Sequence, residues 1–408
     1  MRRTFTTWVL ASGSSVGACS FQGNGAANDG RSGVDGNLDG APISDGRPTD
    51  AGPCGGAALT FSPRHFDKCA VSAVKLSTLG GDAITINTTT KTINRGNGAG
   101  LELLPEATVV SQAGGPELLL VASNNLTITA SQIVTVIGAR SIVFVDTATL
   151  TIDGKIIAAA NGQIGGAGAH TASCGVFGNT GDGVSTAFAN VGAGGGRFGE
   201  PMFDAGVQRS GAQGGGSFGA PGGKFFTASA SLAKLRGGCP GGPGLVTAKG
   251  AGGGAIGLVA NTVQINTGGV VAVPGSGGGA AASGFTGGGG GGSGGAIWIE
   301  GRSVRVSGIC TANGGGGGAG NKNGVGASGS DGAQASATKA AGGAAQSGGP
   351  DGGKGAAGSD KAEAGEASGN GETAGGGGGG PGVIRVKSHG GPPSVSGSLF
   401  SPPTIPTL

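Results

Sequence analysis

Two acidic side chains, Asp146 and Glu300, each follow a short run of alternating apolar residues. Val143 and Val145 precede the first; Ile297 and Ile299 precede the second. If the runs stack two layers apart, the carboxyls stand roughly 9.6 Å from each other. That is close to the separation that lets an inverting glycosidase hold a water between its acid and its base. No third carboxylate or cluster of Arg and Lys accompanies the pair, and aromatic residues are only 4% of the chain. Two solvated bend carboxylates are therefore the favoured reading. Catalysis by Asp146 and Glu300, as in a glycoside hydrolase or polysaccharide lyase, is the alternative.

Other chemistry is thinner. No C-x-x-C occurs, and His65, His170 and His389 stand far apart in sequence, so no metal site is expected. Asp35-Gly36-Asn37-Leu38-Asp39-Gly40 matches the first half of a calcium loop, but Gly46 stands where the bidentate Glu belongs. A disordered tether is favoured there, with weak calcium binding at Asp35, Asn37 and Asp39 the alternative. The glycine runs lack a following Lys-Ser/Thr and are not phosphate loops.

The elements that carry Asp146 and Glu300 repeat. Leu119 and Val121 are followed by Leu126 and Ile128; Val143 and Val145 by Leu150 and Ile152. Ile256 and Leu258 lead to Val263 and Ile265, and Ile297 and Ile299 to Val304 and Val306. Each phrase is apolar at i, i+2, i+7 and i+9, and a third apolar run follows: Ile156-Ile157, Val270-Val271, Ile309-Cys310. Period-two alternation reads as strand, with the apolar positions on one face. Two short strands joined by a bend, then a third, predict one coil of a parallel β-helix, whose stacked coils share a core. The expected fold is thus all-β, a parallel β-helix with long glycine-rich insertions at one corner.

The first two phrases start 24 residues apart, and later ones 113, 41 and 87 apart. The excess always enters after the third run, which sets the insertions at about 162–254, 275–294 and 314–381. The chain has 100 glycines in 408 residues, and 79 of them fall after residue 160. There is no Gly-X-Y period, so collagen is excluded. The insertions are expected to be mostly loosely ordered and outside the core, with packing as extended polyglycine strands the alternative. Outward positions predicted from the phrases include Phe144, Trp298 and Arg305. Phe144 and Trp298 either pack beneath the insertions, which is favoured, or form an aromatic ligand surface.

Arg2 and Arg3, a modest apolar run around Trp8–Ala11, and Val16-Gly17-Ala18-Cys19 suggest an export signal over residues 1–18. The last four residues resemble the lipobox of bacterial lipoproteins, and the resemblance implies cleavage before Cys19 and lipidation of its thiol; plain secretion is the alternative. Arg2-Arg3-Thr4-Phe5 also resembles the core of a twin-arginine signal. An Asp/Gly-rich linker spans 19–54, too poor in apolar residues to fold. Lipobox, linker and cysteine together resemble surface lipoproteins of Gram-negative bacteria. That resemblance implies an outer-membrane or cell-surface location, with membrane contact through the lipid. The β-helix domain is set at 55–395 and a Pro-rich tail at 396–408.

Cys54, Cys69, Cys174 and Cys239 are disulfide candidates for an oxidising compartment. Cys54 and Cys69 are close in sequence and Cys174 and Cys239 bracket an insertion, but connectivity stays open. Cys310 reads as a small buried hydrophobe. A net charge of +3 and 12% charged residues exclude a nucleic-acid surface. In glycine content the chain resembles PE-PGRS-type proteins without their N-terminal domain, and that likeness implies no function. The expectation is a non-catalytic structural or adhesion lipoprotein, with glycans or other surface proteins as partners. A carbohydrate-binding or polysaccharide-degrading protein is the alternative.

Overall fold

The computed structural model describes residues 59–96, 100–112, 115–169, 234–242, 247–281, 286–322, 324–367 and 373–406. The described chain is almost entirely β. In chain order the strands are β1 (Ala83–Asn87), β2 (Thr92–Asn94), β3 (Glu102–Leu103), β4 (Ala107–Val110), β5 (Leu118–Ser123), β6 (Thr127–Ile128) and β7 (Ile133–Ile137). Next come β8 (Ser141–Ile152), β9 (Lys155–Ile157), β10 (Ala255–Ile265), β11 (Val270–Ala272), β12 (Ala296–Val306) and β13 (Ile309–Thr311). The chain ends in β14 (Val383–Ser388), β15 (Ser394–Val395), β16 (Leu399–Ser401) and β17 (Ile405–Pro406).

Two mostly parallel sheets result, neither closed on itself. The first is ordered β17-β14-β12-β10-β8-β5-β4, and the second β16-β13-β11-β9-β7-β1-β2-β3. From β7 to β14 the chain alternates between them, giving one strand to each in turn. Antiparallel β2, β3 and β4 finish one end, where the apolar phrases are least regular. At the other end, β16 and β17 lie within the expected Pro-rich tail and pair in parallel with β13 and β14. That segment is part of the sheets.

Apolar side chains of both sheets meet in one core, including Ile86, Val136, Ile156, Val271 and Cys310 from the second and Ile142, Phe144, Ile256, Leu258, Ile297 and Ile299 from the first. Two expectations need correction. The first phrase is two strands with a bend, β5 and β6, but β8, β10 and β12 each run unbroken through it, and Glu300 and Gly301 stay paired with Val259 and Ala260. The second phrase also has the opposite parity. Ile142 and Phe144 face the core, level with Leu119 and Val121, while Val143 and Val145 face outward. The cause is a bulge: β8 takes three steps from Asp146 to Thr149 where β10 takes two from Ala260 to Thr262. The fixed spacing, counted back from Leu150, therefore lands one residue out of step.

The glycine-rich segments enter where expected, between β9 and β10, β11 and β12, and β13 and β14. In their described parts they are ordered, which matches the polyglycine alternative there; residues 170–233 of the first lie outside the described residues. Around the buried run Thr311–Gly320, the N–H groups of Gly314, Gly317 and Gly320 donate to the carbonyls of Ala356, Gly353 and Pro350. Those of Gly315 and Gly318 donate to Gly292 and Gly289, and those of Gly316 and Ala319 to Ser330 and Ala327. The donor direction thus returns every third residue, as in an extended helix of three residues per turn. Such a helix has no internal hydrogen bonds, so neighbouring segments must satisfy its backbone. The run's carbonyls accept from Gly278, Gly379 and Gly343, on three further segments. A methyl at Gly317 would meet the carbonyl of Gly376, and one at Gly318 that of Gly279. Glycine is needed here for close approach of backbones. The segments form a second, backbone-bonded body beside the apolar core.

Candidate functional site on the outer face of the first sheet

Strand β12 sets Trp298 and Glu300 two residues apart on its outer face, and β14 sets Arg385 and Lys387 beside them in register. Glu300 is fully buried. Its Oε2 accepts the Trp298 indole N–H at 2.9 Å and the Arg64 backbone N–H at 3.0 Å. Its Oε1 lies 2.8 Å from His389 Nε2 and 3.6 Å from Lys387 Nζ. His389 follows β14 and is held by its backbone N–H to Gly301 O at 2.9 Å.

The segment 59–71 lies over this cluster as a strap. Leu59, Phe61 and Val71 bury their side chains in an outer apolar cluster with Val143, Val145, Leu235 and Trp298. The Phe61 ring stacks on His389 at 4.5 Å, and His65 meets the Trp298 ring edge-on at 4.7 Å. The Arg64 guanidinium stands 5.8 Å over the same indole. Buried Arg385 is held below its ordinary range, chiefly by desolvation and then by the charge of Arg64. A buried carboxylate is tolerable only when its oxygens are occupied, and here they are.

Asp146 is also fully buried, on the other face. It is level with Ala260 and, through it, with Gly301, whereas Glu300 is level with Val259 and Val145. Alternation then directs the two carboxyls to opposite sides of the sheet. Asp146 accepts Ser123 Oγ at 2.8 Å and the N–H groups of Asn125, Leu126 and Ala148 at 3.1, 2.9 and 2.7 Å. It organises the bend. Both readings of Asp146 and Glu300, the favoured solvated carboxylates and the alternative catalytic pair, are therefore corrected: both are buried, and they share no site.

Phe144, expected outside, is in the inner core. Trp298 is outside the inner core but 1% exposed, in a cluster with Leu59, Phe61 and Val71 of the strap and Leu235 of the first glycine-rich segment. Arg305 is exposed on the outer face, as expected. Beside it Thr60, Asn261, Thr262, Arg302, Ser303 and Gly390 line a shallow groove. Asn261 Oδ1 accepts the N–H and hydroxyl of Thr60, each at 2.9 Å, which fixes the groove's wall to the strap.

Arg64, His65 and His389 were invisible as a group, because His389 lies 325 residues beyond Arg64 and no local motif joins them. Arg385 and Lys387, by contrast, share columns with Trp298 and Glu300 in the aligned phrases, and that signal could have found them. Cys310 is buried and free, and burial pushes its thiol up to about 12. Cys69 and Cys239 are disulfide-bonded. Cys19, Cys54, Cys174, Asp35, Asn37 and Asp39 lie outside the described residues. Among the described residues, no group of His, Cys, Asp and Glu could hold a metal ion, and no helix is long and apolar enough to cross a membrane. Compared with protein-family models, curated proteins and solved structures, the chain has no match.

Proposed function

We propose that this chain is a non-catalytic structural or adhesion protein of the bacterial outer surface, anchored by lipid at Cys19 and built as a parallel β-helix with an attached glycine lattice. Support for the β-helix comes from the alternation of strands between two parallel sheets over a shared core. Support for export and anchoring comes from the lipobox-like Val16–Cys19, the following linker and the disulfide-bonded Cys69 and Cys239. One observation carries the non-catalytic reading. The two carboxylates that the repeat offers for catalysis, Asp146 and Glu300, are buried on opposite faces and bonded to internal donors. An acid catalyst must reach its substrate, and these cannot without dismantling the fold.

Two measurements test the proposal. Metabolic labelling with palmitate should mark the wild-type chain and not Cys19→Ala; an unlabelled wild type removes the anchor. Incubation with a panel of polysaccharides should release no reducing ends or unsaturated sugars. Turnover that Glu300→Gln abolishes in a folded protein would overthrow the non-catalytic reading.

A further inference from the structure

The outer face around the β12–β14 bends carries a concentration of positive charge. Arg302 and Arg305 come from β12, Arg385 and Lys387 from β14, and Arg64 and Lys68 from the strap. Against them stand buried Glu300, already engaged by Arg64, Trp298, Lys387 and His389, and Asp67, whose side chain caps the N–H of Cys69. The facing strand β10 has no charged residue over Ala255–Ile265. In a chain whose net charge is only +3, this excess is local.

The excess borders the shallow groove. Arg302 and Ser303 form part of its wall, and Arg305 stands two residues on along the same outward row, roughly 6.7 Å away. The remaining lining is hydroxyl and amide: Thr60, Thr262 and Asn261. Guanidinium groups match carboxylates and sulfates in fork geometry, while hydroxyl and amide groups suit sugar hydroxyls. The groove is open, which leaves room for a chain lying across the bends.

We propose that this groove binds an acidic polysaccharide, with Arg302 and Arg305 pairing with its anionic groups and the Thr60–Asn261–Ser303 wall meeting its hydroxyls. The proposal rests on the surface-protein reading, in that it names the partner such a protein would hold. A glycan is favoured over a nucleic acid because the described groove has no exposed aromatic ring on which bases could stack.

The test uses the full chain and titrates alginate, a polyuronate, by calorimetry, with neutral dextran alongside. Alginate should bind at low ionic strength, weaken as salt rises, and bind roughly tenfold more weakly to Arg302→Ser/Arg305→Ser. Both arginines are exposed and outside the Glu300 cluster, so the melting temperature should be unchanged. Lys155→Ser/Lys361→Ser, exposed cations elsewhere, should bind as the wild type does. The proposal is overturned by absence of alginate binding, by equal binding of dextran, or by equal losses in the two double variants. Palmitate labelling reports independently on the surface anchor, so either idea can fail alone.

Discussion

Glu300 and His389, 89 residues apart in the chain, lie 2.8 Å from each other across the β12–β14 edge. Phe61 stacks on that same imidazole, and the N–H of Arg64 reaches the same carboxylate. One buried carboxyl group therefore joins two strands of the first sheet to a strap that precedes every strand in sequence.

Glu300→Ala removes the acceptor for all of these donors. We expect a loss of about 3–5 kcal/mol in denaturant melts, the usual cost of breaking a buried ionic cluster. Cleavage by a protease should appear first within 59–76. Glu300→Gln keeps the shape and some hydrogen bonds, and should cost about 1–3 kcal/mol.

Asp146 and Glu300 support different bends on opposite faces. Asp146→Asn and Glu300→Gln should therefore be additive in stability within ~0.5 kcal/mol when combined. A coupling well above that, read from the double-mutant cycle, would contradict the separation of the two carboxylates.

The glycine lattice depends on close approach of backbones. Gly317→Ala should destabilise by ~3 kcal/mol or more, because backbone rather than a flexible side chain meets the added methyl. Gly100, with nothing within 4 Å of an added Cβ, is the control: Gly100→Ala should stay within about 0.5 kcal/mol of wild type.

Cys310 has its thiol pushed from 9.0 to about 12 by burial. The folded state holds that proton more tightly than the unfolded state does. Stability from this group is then full below about pH 9 and falls as pH rises toward 12, by up to roughly 4 kcal/mol. Cys310→Ala should flatten that part of the alkaline melt profile. In the native protein the thiol should resist alkylation at pH 8 and react only after unfolding.

The disulfides at Cys69 and Cys239 constrain the unfolded chain. Reduction should lower stability by about 2–4 kcal/mol for each bond broken, measured as a shift of the denaturation midpoint with and without reductant.

Alternation of apolar residues made the strands legible, and the recurrence of Ile256-x-Leu258 and Ile297-x-Ile299 made their parallel stacking legible. Period two assigns a face whenever polar residues fill the other one. It failed at Ile142–Val145, where both faces are apolar because a second cluster covers the outside. Nothing local then distinguishes in from out, and the bulge at Asp146–Thr149 moved the count by one.

The glycine segments show the complementary limit. Sequence located them at a single corner of the strand repeat, since length variation is tolerated only where it does not interrupt the ladders. Their order was decided by tertiary structure, because a three-residue extended helix has no bonds of its own and its partners are distant segments such as Gly289–Gly292 and Gly353–Ala356. The site follows the same division. Trp298, Glu300 and Arg305 were placed by strand periodicity alone, and Arg385 and Lys387 share the columns of Trp298 and Glu300. That Arg64 and His389 close over Glu300 was settled by packing, since the carboxylate could leave water only once donors from three separate stretches of chain had converged on it.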